Sequence, residues 1–278
     1  MMGLSFPSTG YRRTGALPAH DPWRDLSDEL DAWAGTGRQA TFWWRDDDAI
    51  APTPRLNRLL DLARDNSLTV ALAVIPAEAT LELFAFLASR PDVALIQHGY
   101  AHVNHAPKGA KKAELGAHRP RAAVLAELAS GRALLAEASG GRALRVVAPP
   151  WNRIDPAVAA GLAAAGLDGL SAAKPRATRR DAAGVLHANA QVDPIDWPGW
   201  RAGGDGFVGA GAALGAAIAH LRARRLGGVD ADEPTGLLTH HLVMGEATWR
   251  FVAQFVAATN RHKAARWLDP ANVFDPAS

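Results

Sequence analysis

The sequence predicts an α/β protein built around one parallel sheet or barrel. Apolar segments typical of buried strands alternate along the chain with segments of helical periodicity. Acidic residues or histidines directly follow several of these strands, and active sites of parallel α/β folds gather at the carboxyl ends of strands. The chain of 278 residues is 48% hydrophobic and 21% charged, which suffices for one large core. We expect an N-terminal arm and helix over 1–38 and one barrel domain over 39–278.

The first half of the chain predicts three strands separated by helices. An irregular arm over 1–21 leads into a helix that ends near residue 34. The strand over 39–45 is aromatic and runs directly into three consecutive aspartates. The following elements are a helix over 55–66, a strand over 68–75, a helix over 79–89 and a strand over 93–96.

The second half predicts shorter strands and longer loops. The polar segment 106–118 is either a solvated connection or a loop that faces the substrate, and the glycine-rich segment 199–211 predicts a flexible loop. The regular elements are helices over 120–138, 155–165, 212–225 and 246–260, and strands over 144–148, 167–171, 185–192 and 236–239, followed by a short tail.

Composition excludes several classes of protein. The formal net charge is only +2 and the basic residues are scattered, so a nucleic-acid partner is not indicated. The chain has no cysteine, so disulfides and thiolate metal sites are excluded, and a zinc ion would need histidine and carboxylate ligands. No stretch is apolar over the ~18 residues of a membrane span. The N-terminus lacks the apolar core of a signal peptide, and we therefore expect a cytoplasmic protein.

Two histidines at the end of the third strand predict half of a metal site. His98 and His102 are four residues apart, and a helical turn after the strand would place both imidazoles on one face. A run of acids such as Asp46, Asp47 and Asp48 is costly to bury unpaired, so it lies in solvent, caps an element or binds a cation. Because both groups follow strands of one parallel sheet, the fold allows them to meet.

Five strand ends together carry an ordered set of chemical groups. They are the aspartates 46–48, the histidines after residue 97, the prolines and tryptophan of 149–151, the segment 193–197 with two aspartates, and the segment 238–240. Hydrolysis at a divalent metal needs ligands that leave room for water, a base, a donor to the oxyanion and an acid for the leaving group. The set can supply each of these.

This ordered set resembles the motifs of the polysaccharide deacetylase family, the NodB-homology domain of carbohydrate esterase family 4. The resemblance spans residues 40–245 or so. It implies a distorted (β/α) barrel of about seven parallel strands, and a divalent metal such as Zn²⁺. It also implies a hydrolase that removes acetyl groups from a sugar-like substrate.

The resemblance assigns the metal ligands and the base. It makes Asp47 the base and Asp48 a metal ligand, although the spacing also permits the pair Asp46 and Asp47. His98 and His102 are the other implied ligands.

Other positions match the substrate-binding motifs of the family. His105 would contact the substrate or support the metal ligands. Pro150 and Trp151 would form a wall of the groove, and the Trp151 backbone N–H would face the oxyanion.

The last two motifs supply the acid side of the reaction. The resemblance makes His240 the general acid, and we expect Asp196 to orient its imidazole. Trp197, next to that aspartate, would line the substrate groove.

The sequence departs from the family pattern at two positions. Ala49 stands where the family has glycine, which restricts the turn. Ala148 stands where the family has an arginine that pairs with the catalytic carboxylate. Arg45 and Arg153 are the candidates to replace it, and we favour Arg45 because it lies on the strand of the base, two residues before Asp47.

The function that follows is metal-dependent removal of an acetyl or other small acyl group from an amide nitrogen. Without an export signal, a small or cytoplasmic N-acylated molecule or oligosaccharide is a more fitting substrate than a cell-wall polymer. Two alternatives remain open at this stage. One is an amidohydrolase that acts on a non-sugar amide, and the other is an inactive barrel that binds carbohydrate.

Overall fold

Eight parallel strands form the centre of the protein. The computed structural model describes residues 21–275 and residue 277, so the predicted arm up to residue 20 lies outside the described residues. The strands are β1 (Ala40–Ala49), β2 (Val70–Val74), β3 (Val93–His98), β4 (Val146–Ala148), β5 (Gly169–Leu170), β6 (Leu186–His187), β7 (Thr235–Thr239) and β8 (Ala265–Trp267). Seven of them follow the order β6-β5-β4-β3-β2-β1-β7, and β8 pairs with the first part of β1. This arrangement confirms the predicted α/β barrel.

The barrel closes through a short stretch that follows β6. The backbone N–H groups of Gln191 and Val192 both donate to Gly236 O at 3.0 Å, and Leu238 N donates to Val192 O at 2.8 Å. The predicted strand over 185–192 therefore reduces to two residues, because the chain leaves β5 after residue 190 and crosses to β7. This seam is where the barrel is distorted.

Helices surround the sheet. They are α1 (Pro22–Gly35), α2 (Pro54–Asp65), α3 (Leu81–Leu87), α4 (Arg121–Ala138), α5 (Pro156–Ala159), α6 (Trp197–Arg201), α7 (Ala210–Arg225), α8 (Glu246–Arg261) and α9 (Pro270–Val273). Among the described residues, none of these helices is long and apolar enough to cross a membrane.

Helix α1 is part of the same packed structure as the barrel. Its apolar residues Leu26, Leu30 and Trp33 are buried in one hydrophobic cluster with residues of β1, β2, α7 and α8. The Trp33 indole also donates to Leu221 O of α7 at 3.2 Å. The N-terminal helix thus contributes to the core that supports the barrel, as its amphipathic pattern indicates.

Three more predicted elements differ in extent from the structure. Gly166 in a left-handed conformation (φ 78°) closes a short 3-10 turn, so the predicted helix over 155–165 is only α5 followed by that turn. The predicted loop over 199–211 contains most of α6 and the first turn of α7. The predicted tail contains β8, which forms because Ala40, Thr41 and Phe42 offer an open edge below β2.

Candidate active site

A change in backbone geometry at the end of β1 turns one aspartate toward the third strand. The pairing of β1 with β2 shifts register between Asp46 and Ala49, and Asp48 has a left-handed backbone with φ 72°. The shift breaks the regular alternation of side chains, so Asp48 does not continue the face that holds Asp46. Its carboxylate instead reaches His98, the last residue of β3, and His102 in the turn that follows.

Asp48, His98 and His102 form a group that could hold a metal ion. Asp48 Oδ1 lies 3.1 Å from His98 Nε2 and 3.4 Å from His102 Nε2. The three ligand atoms all lie within 4.8 Å of one another. Two imidazole nitrogens and one carboxylate oxygen are a donor set that suits Zn²⁺ and similar transition metals, and leave positions open for water and substrate. The structure thus brings together the three residues that were predicted as ligands.

The tautomer of His98 supports a cation at this position. Its Nδ1 lies 3.0 Å from Ala148 O, and since a carbonyl only accepts, Nδ1 must carry the hydrogen. The Nε2 lone pair of the neutral ring then faces Asp48 Oδ1, which is buried and has no hydrogen-bond partner among the described residues. Two electron-rich atoms at this distance repel each other, and a cation between them removes the repulsion.

The protonation tendencies of the group agree with a cation site. Burial raises the pKa of Asp48, but the neighbouring histidine rings, when they are positively charged, outweigh burial and hold that pKa well below its usual range. Burial lowers the pKa of His98, and Asp47 and Asp48 outweigh this effect and raise it. Burial lowers the pKa of His102, so this ring favours the neutral form that binds metals. The local field therefore favours one positive charge at the centre of the group.

Arg45 pairs with Asp47 in the barrel interior. Arg45 Nε lies 2.9 Å from Asp47 Oδ1, and Nη2 donates to Asp47 Oδ2 at 3.1 Å. Both side chains are almost fully buried, at 0% and 2% exposure. Asn152 Oδ1 accepts from Nη2 at 2.6 Å, and Ser171 Oγ accepts from Nη1 at 2.7 Å. The guanidinium is thereby aimed at the carboxylate, as the sequence analysis favours for Arg45.

Arg153 lies away from this pair. Its guanidinium donates through Nη1 to the backbone oxygen of Lys112 at 2.8 Å, on the loop before α4. The structure therefore gives no support to Arg153 as a partner of the base. The loop after β4 directs the Arg153 side chain toward Lys112 instead of toward Asp47.

Asp46 is a fully buried anchor between β1 and β7. Its Oδ2 accepts from Thr239 Oγ1 at 2.7 Å and from His241 N at 3.0 Å, and its Oδ1 lies 2.5 Å from His241 Nδ1. None of these contacts involves His98 or His102, and Asp46 is not part of the metal group found among the described residues. Of the two registers left open by the sequence, the structure favours Asp47 as base and Asp48 as ligand.

His240 lies beside the candidate base at the end of β7. Its Nε2 is 3.9 Å from Asp47 Oδ2, too far for a hydrogen bond, and so remains available to a substrate. The Trp197 ring packs edge-on against the imidazole, with 4.6 Å between ring centroids. The other ring nitrogen, Nδ1, is buried and has no hydrogen-bond partner in the described part of the chain.

The predicted pairing of Asp196 with His240 is not seen. Asp196 caps α6, and its Oδ1 accepts from Gly199 N at 3.2 Å. Asp193 lies close enough to His240 for their charges to interact: burial raises the pKa of Asp193, and the histidine opposes that rise. Asp193 Oδ2 also accepts from the Trp197 indole at 2.9 Å. Of the two aspartates of this motif, Asp193 is therefore the better placed to act on His240.

The groove wall forms from the loop after β4. Trp151 packs on His102 with ring centroids 4.4 Å apart, and Lys112 Nζ lies 5.7 Å from the centre of the same indole. Pro150 is buried against the turn that follows His98. His105 bonds through its backbone to Ala113 O and lies outside the metal group found among the described residues.

Backbone strain is concentrated at this site. Six described non-glycine residues have positive φ, and four of them are Asp48, His102, Trp151 and Asn152. Such conformations persist where the surrounding structure holds them, and they cluster at functional sites. Ala49, which we expected to restrict the turn, is a buried strand residue outside this set. The positive φ occurs at Asp48 instead, so the turn can accommodate alanine at position 49.

Three contributing residues were not identified from the sequence. Asn152 and Ser171 hold Arg45, and both follow short strands, so their position at strand ends was a usable signal. Glu114 is buried although it lies in a polar loop, and no local pattern indicates this. A cavity of about 410 Å³ is lined by Asn152, Asp193 and Leu238 together with residues of α7, and none of the three residues of the metal group lines it.

The fold and the site define a parallel barrel with a two-histidine, one-aspartate metal group at its carboxyl end. The sequence alone matches no protein-family profile and no curated protein sequence. Solved structures do match. One is a protein from Mycobacterium smegmatis assigned to the polysaccharide deacetylases, 15% identical over 85% of this chain and 90% of that chain, with a TM-score of 0.64.

Two further structures are similar. A pseudoenzyme of carbohydrate esterase family 4 from Bacillus anthracis is 12% identical over 86% of this chain and 66% of that chain, with a TM-score of 0.54. A family 4 acetyl xylan esterase from Clostridium thermocellum, solved with a cobalt ion, is 13% identical over 85% and 95%, with a TM-score of 0.50. The fold is therefore that of the polysaccharide deacetylases, the NodB-homology barrel that the motifs predict.

Proposed function

We propose that this protein is a divalent-metal-dependent hydrolase that removes an acetyl or other small acyl group from an amide nitrogen of a sugar-like substrate. One observation carries the proposal. The buried Arg45–Asp47 pair directly precedes Asp48 of the metal group in β1, and Asp47 Oδ2 lies 3.9 Å from His240 Nε2. A binding protein has no need of a carboxylate and an imidazole arranged as base and acid beside a metal site.

The residues of this chain divide the reaction between them. A divalent ion held by Asp48, His98 and His102 would polarise the acyl carbonyl and make water more acidic. Asp47, held by Arg45, accepts the proton of the water that attacks the acyl carbon. His240 then gives a proton from Nε2 to the nitrogen as the carbon–nitrogen bond breaks. A free amine and a carboxylate result.

The surroundings of the site support a sugar-like substrate. Trp151 and Trp197 stand on opposite sides, against His102 and His240 respectively. Indole rings offer the flat apolar faces on which sugar rings stack. Similar structures include a peptidoglycan N-acetylglucosamine deacetylase.

The metal is proposed as Zn²⁺ or a related transition ion. The donor set favours such ions over Mg²⁺ or Ca²⁺, which prefer oxygen ligands. The cobalt ion in the similar acetyl xylan esterase agrees with this choice.

Release of acetate and formate from N-acylated sugars and from non-sugar amides tests the proposal. The protein would be stripped of metal, then assayed with and without added Zn²⁺ or Co²⁺. We expect metal-dependent acetate release from at least one sugar, lost in Asp47→Asn. Turnover of the non-sugar amides alone would assign the activity to another substrate class. Metal binding and sugar binding without turnover would identify an inactive barrel, as in the pseudoenzyme with the same fold.

A further inference from the structure

We infer that Glu114 is a positioning residue that fixes the turn between the two histidines of the metal group. The inference rests on the proposed metal site and assigns a role to a residue outside it. Glu114 lies in the loop before α4, yet its side chain is buried, with 1% exposure. It reaches the turn of Gly99, Tyr100 and Ala101 that connects His98 to His102.

The carboxylate accepts two backbone hydrogen bonds from the middle of this turn. Oε1 accepts from Ala101 N at 2.7 Å, and Oε2 accepts from Tyr100 N at 3.1 Å. Hydrogen bonds to a charged acceptor are about twice as strong as neutral ones. Both oxygens of Glu114 therefore hold consecutive amides in one orientation, directly before His102.

Gly99 keeps the space that this carboxylate occupies. A Cβ atom added at Gly99 would lie 1.9 Å from Glu114 Oε2 and 2.6 Å from Pro150 Cδ. Its φ of +56° also favours glycine. The Glu114 carboxylate can therefore bind the turn only because residue 99 has no side chain.

The turn requires such support because it ends in a strained residue. His102 has φ 55° and still presents Nε2 to Asp48 at 3.4 Å. A non-glycine residue holds this conformation only where neighbouring contacts impose it. Glu114 therefore supports the second ligand through the geometry of the turn.

Zinc titration of matched variants tests this role. Metal-stripped wild type, Glu114→Gln, Gly99→Ala and the control Glu127→Gln would be titrated with ZnCl₂ by calorimetry, and their unfolding followed by circular dichroism. Glu127 pairs with Arg119 through two hydrogen bonds of 2.7 Å on the protein surface, away from the turn. Glutamine at 114 keeps the volume and one acceptor, but its NH₂ group must face one of the two amides.

We expect Glu114→Gln and Gly99→Ala to bind zinc roughly 10–100-fold more weakly, the usual effect of losing a partner that orients a ligand. Glu127→Gln should match wild type within about twofold. A merely structural role would lower the unfolding temperature of Glu114→Gln but leave the zinc affinity of the folded protein unchanged, and that result overturns the inference. If wild type itself binds no divalent metal, the proposed function fails and the inference fails with it.

Discussion

Replacing Arg45 should change the pH range over which the protein works. The Arg45–Asp47 pair is buried, with nitrogen–oxygen distances of 2.9 and 3.1 Å. Two unit charges 4 Å apart interact by about 4 kcal/mol at an effective dielectric constant of 20. At about 1.4 kcal/mol per pH unit, this corresponds to about three units. In Arg45→Met, Asp47 faces the negative charge of Asp46 and Asp48 without its cation.

The acidic limb of the kcat/KM profile should therefore move upward by about one to three pH units in Arg45→Met, since the base needs a higher pH to ionise. The sign follows from removing a positive charge that favours the ionised carboxylate. Arg45→Lys, which keeps the charge but loses the planar fork, should move the limb less. The profiles would be measured at saturating Zn²⁺ with the substrate identified by acyl release.

Arg153→Met is the matched control, because its guanidinium bonds to Lys112 O instead of the base. It should leave the acidic limb in place. Unfolding curves of each variant would show that the assayed protein is folded, since loss of one member of a buried pair can cost about 3–5 kcal/mol. An unmoved limb in Arg45→Met, or an equal shift in Arg153→Met, would refute the account of how Asp47 stays charged.

Three further outcomes are expected. His98→Ala should come out of purification without bound metal while His105→Ala retains it, as measured by elemental analysis; the reverse result would contradict the ligand assignment. His240→Ala should keep its metal and lose about 10²–10⁴-fold in kcat, the usual contribution of a general acid. Asp193→Asn should lower kcat with little change in KM. Asp196→Asn should chiefly lower stability, by about 1 kcal/mol or less, through a weaker helix cap. A larger loss of kcat in Asp196→Asn would instead support Asp196 as the residue that orients His240.

Much of the fold could be predicted because its signals are local. The apolar runs of β2 and β3 and the periodic face of α2 identify parallel α/β architecture directly. The histidines could be placed because they directly follow β3. The strand β8 has no such signal, since its residues pair only with an edge of β1 that exists after the barrel has formed.

The remaining parts of the site depend on contacts between distant segments. Spacing alone could not choose between the two aspartate pairs, because the choice depends on a register shift in β1. It could not separate Asp193 from Asp196 either, because both lie in one motif and only the start of α6 engages the second one. Glu114 is polar within a polar loop, and its burial follows from the absence of a side chain at Gly99.

The pairing that closes the barrel separates two parts of the site that come from different regions of the sequence. The metal group comes entirely from residues 48–102, from β1 and from the end of β3, which both pair with β2. The acid side depends on the bond from Leu238 N to Val192 O, which sets Asp193 and His240 side by side across 46 intervening residues. Contacts between segments so far apart are slow to form during folding. A chain that has not yet closed this seam can therefore already possess its metal ligands while the proton donor is still out of place.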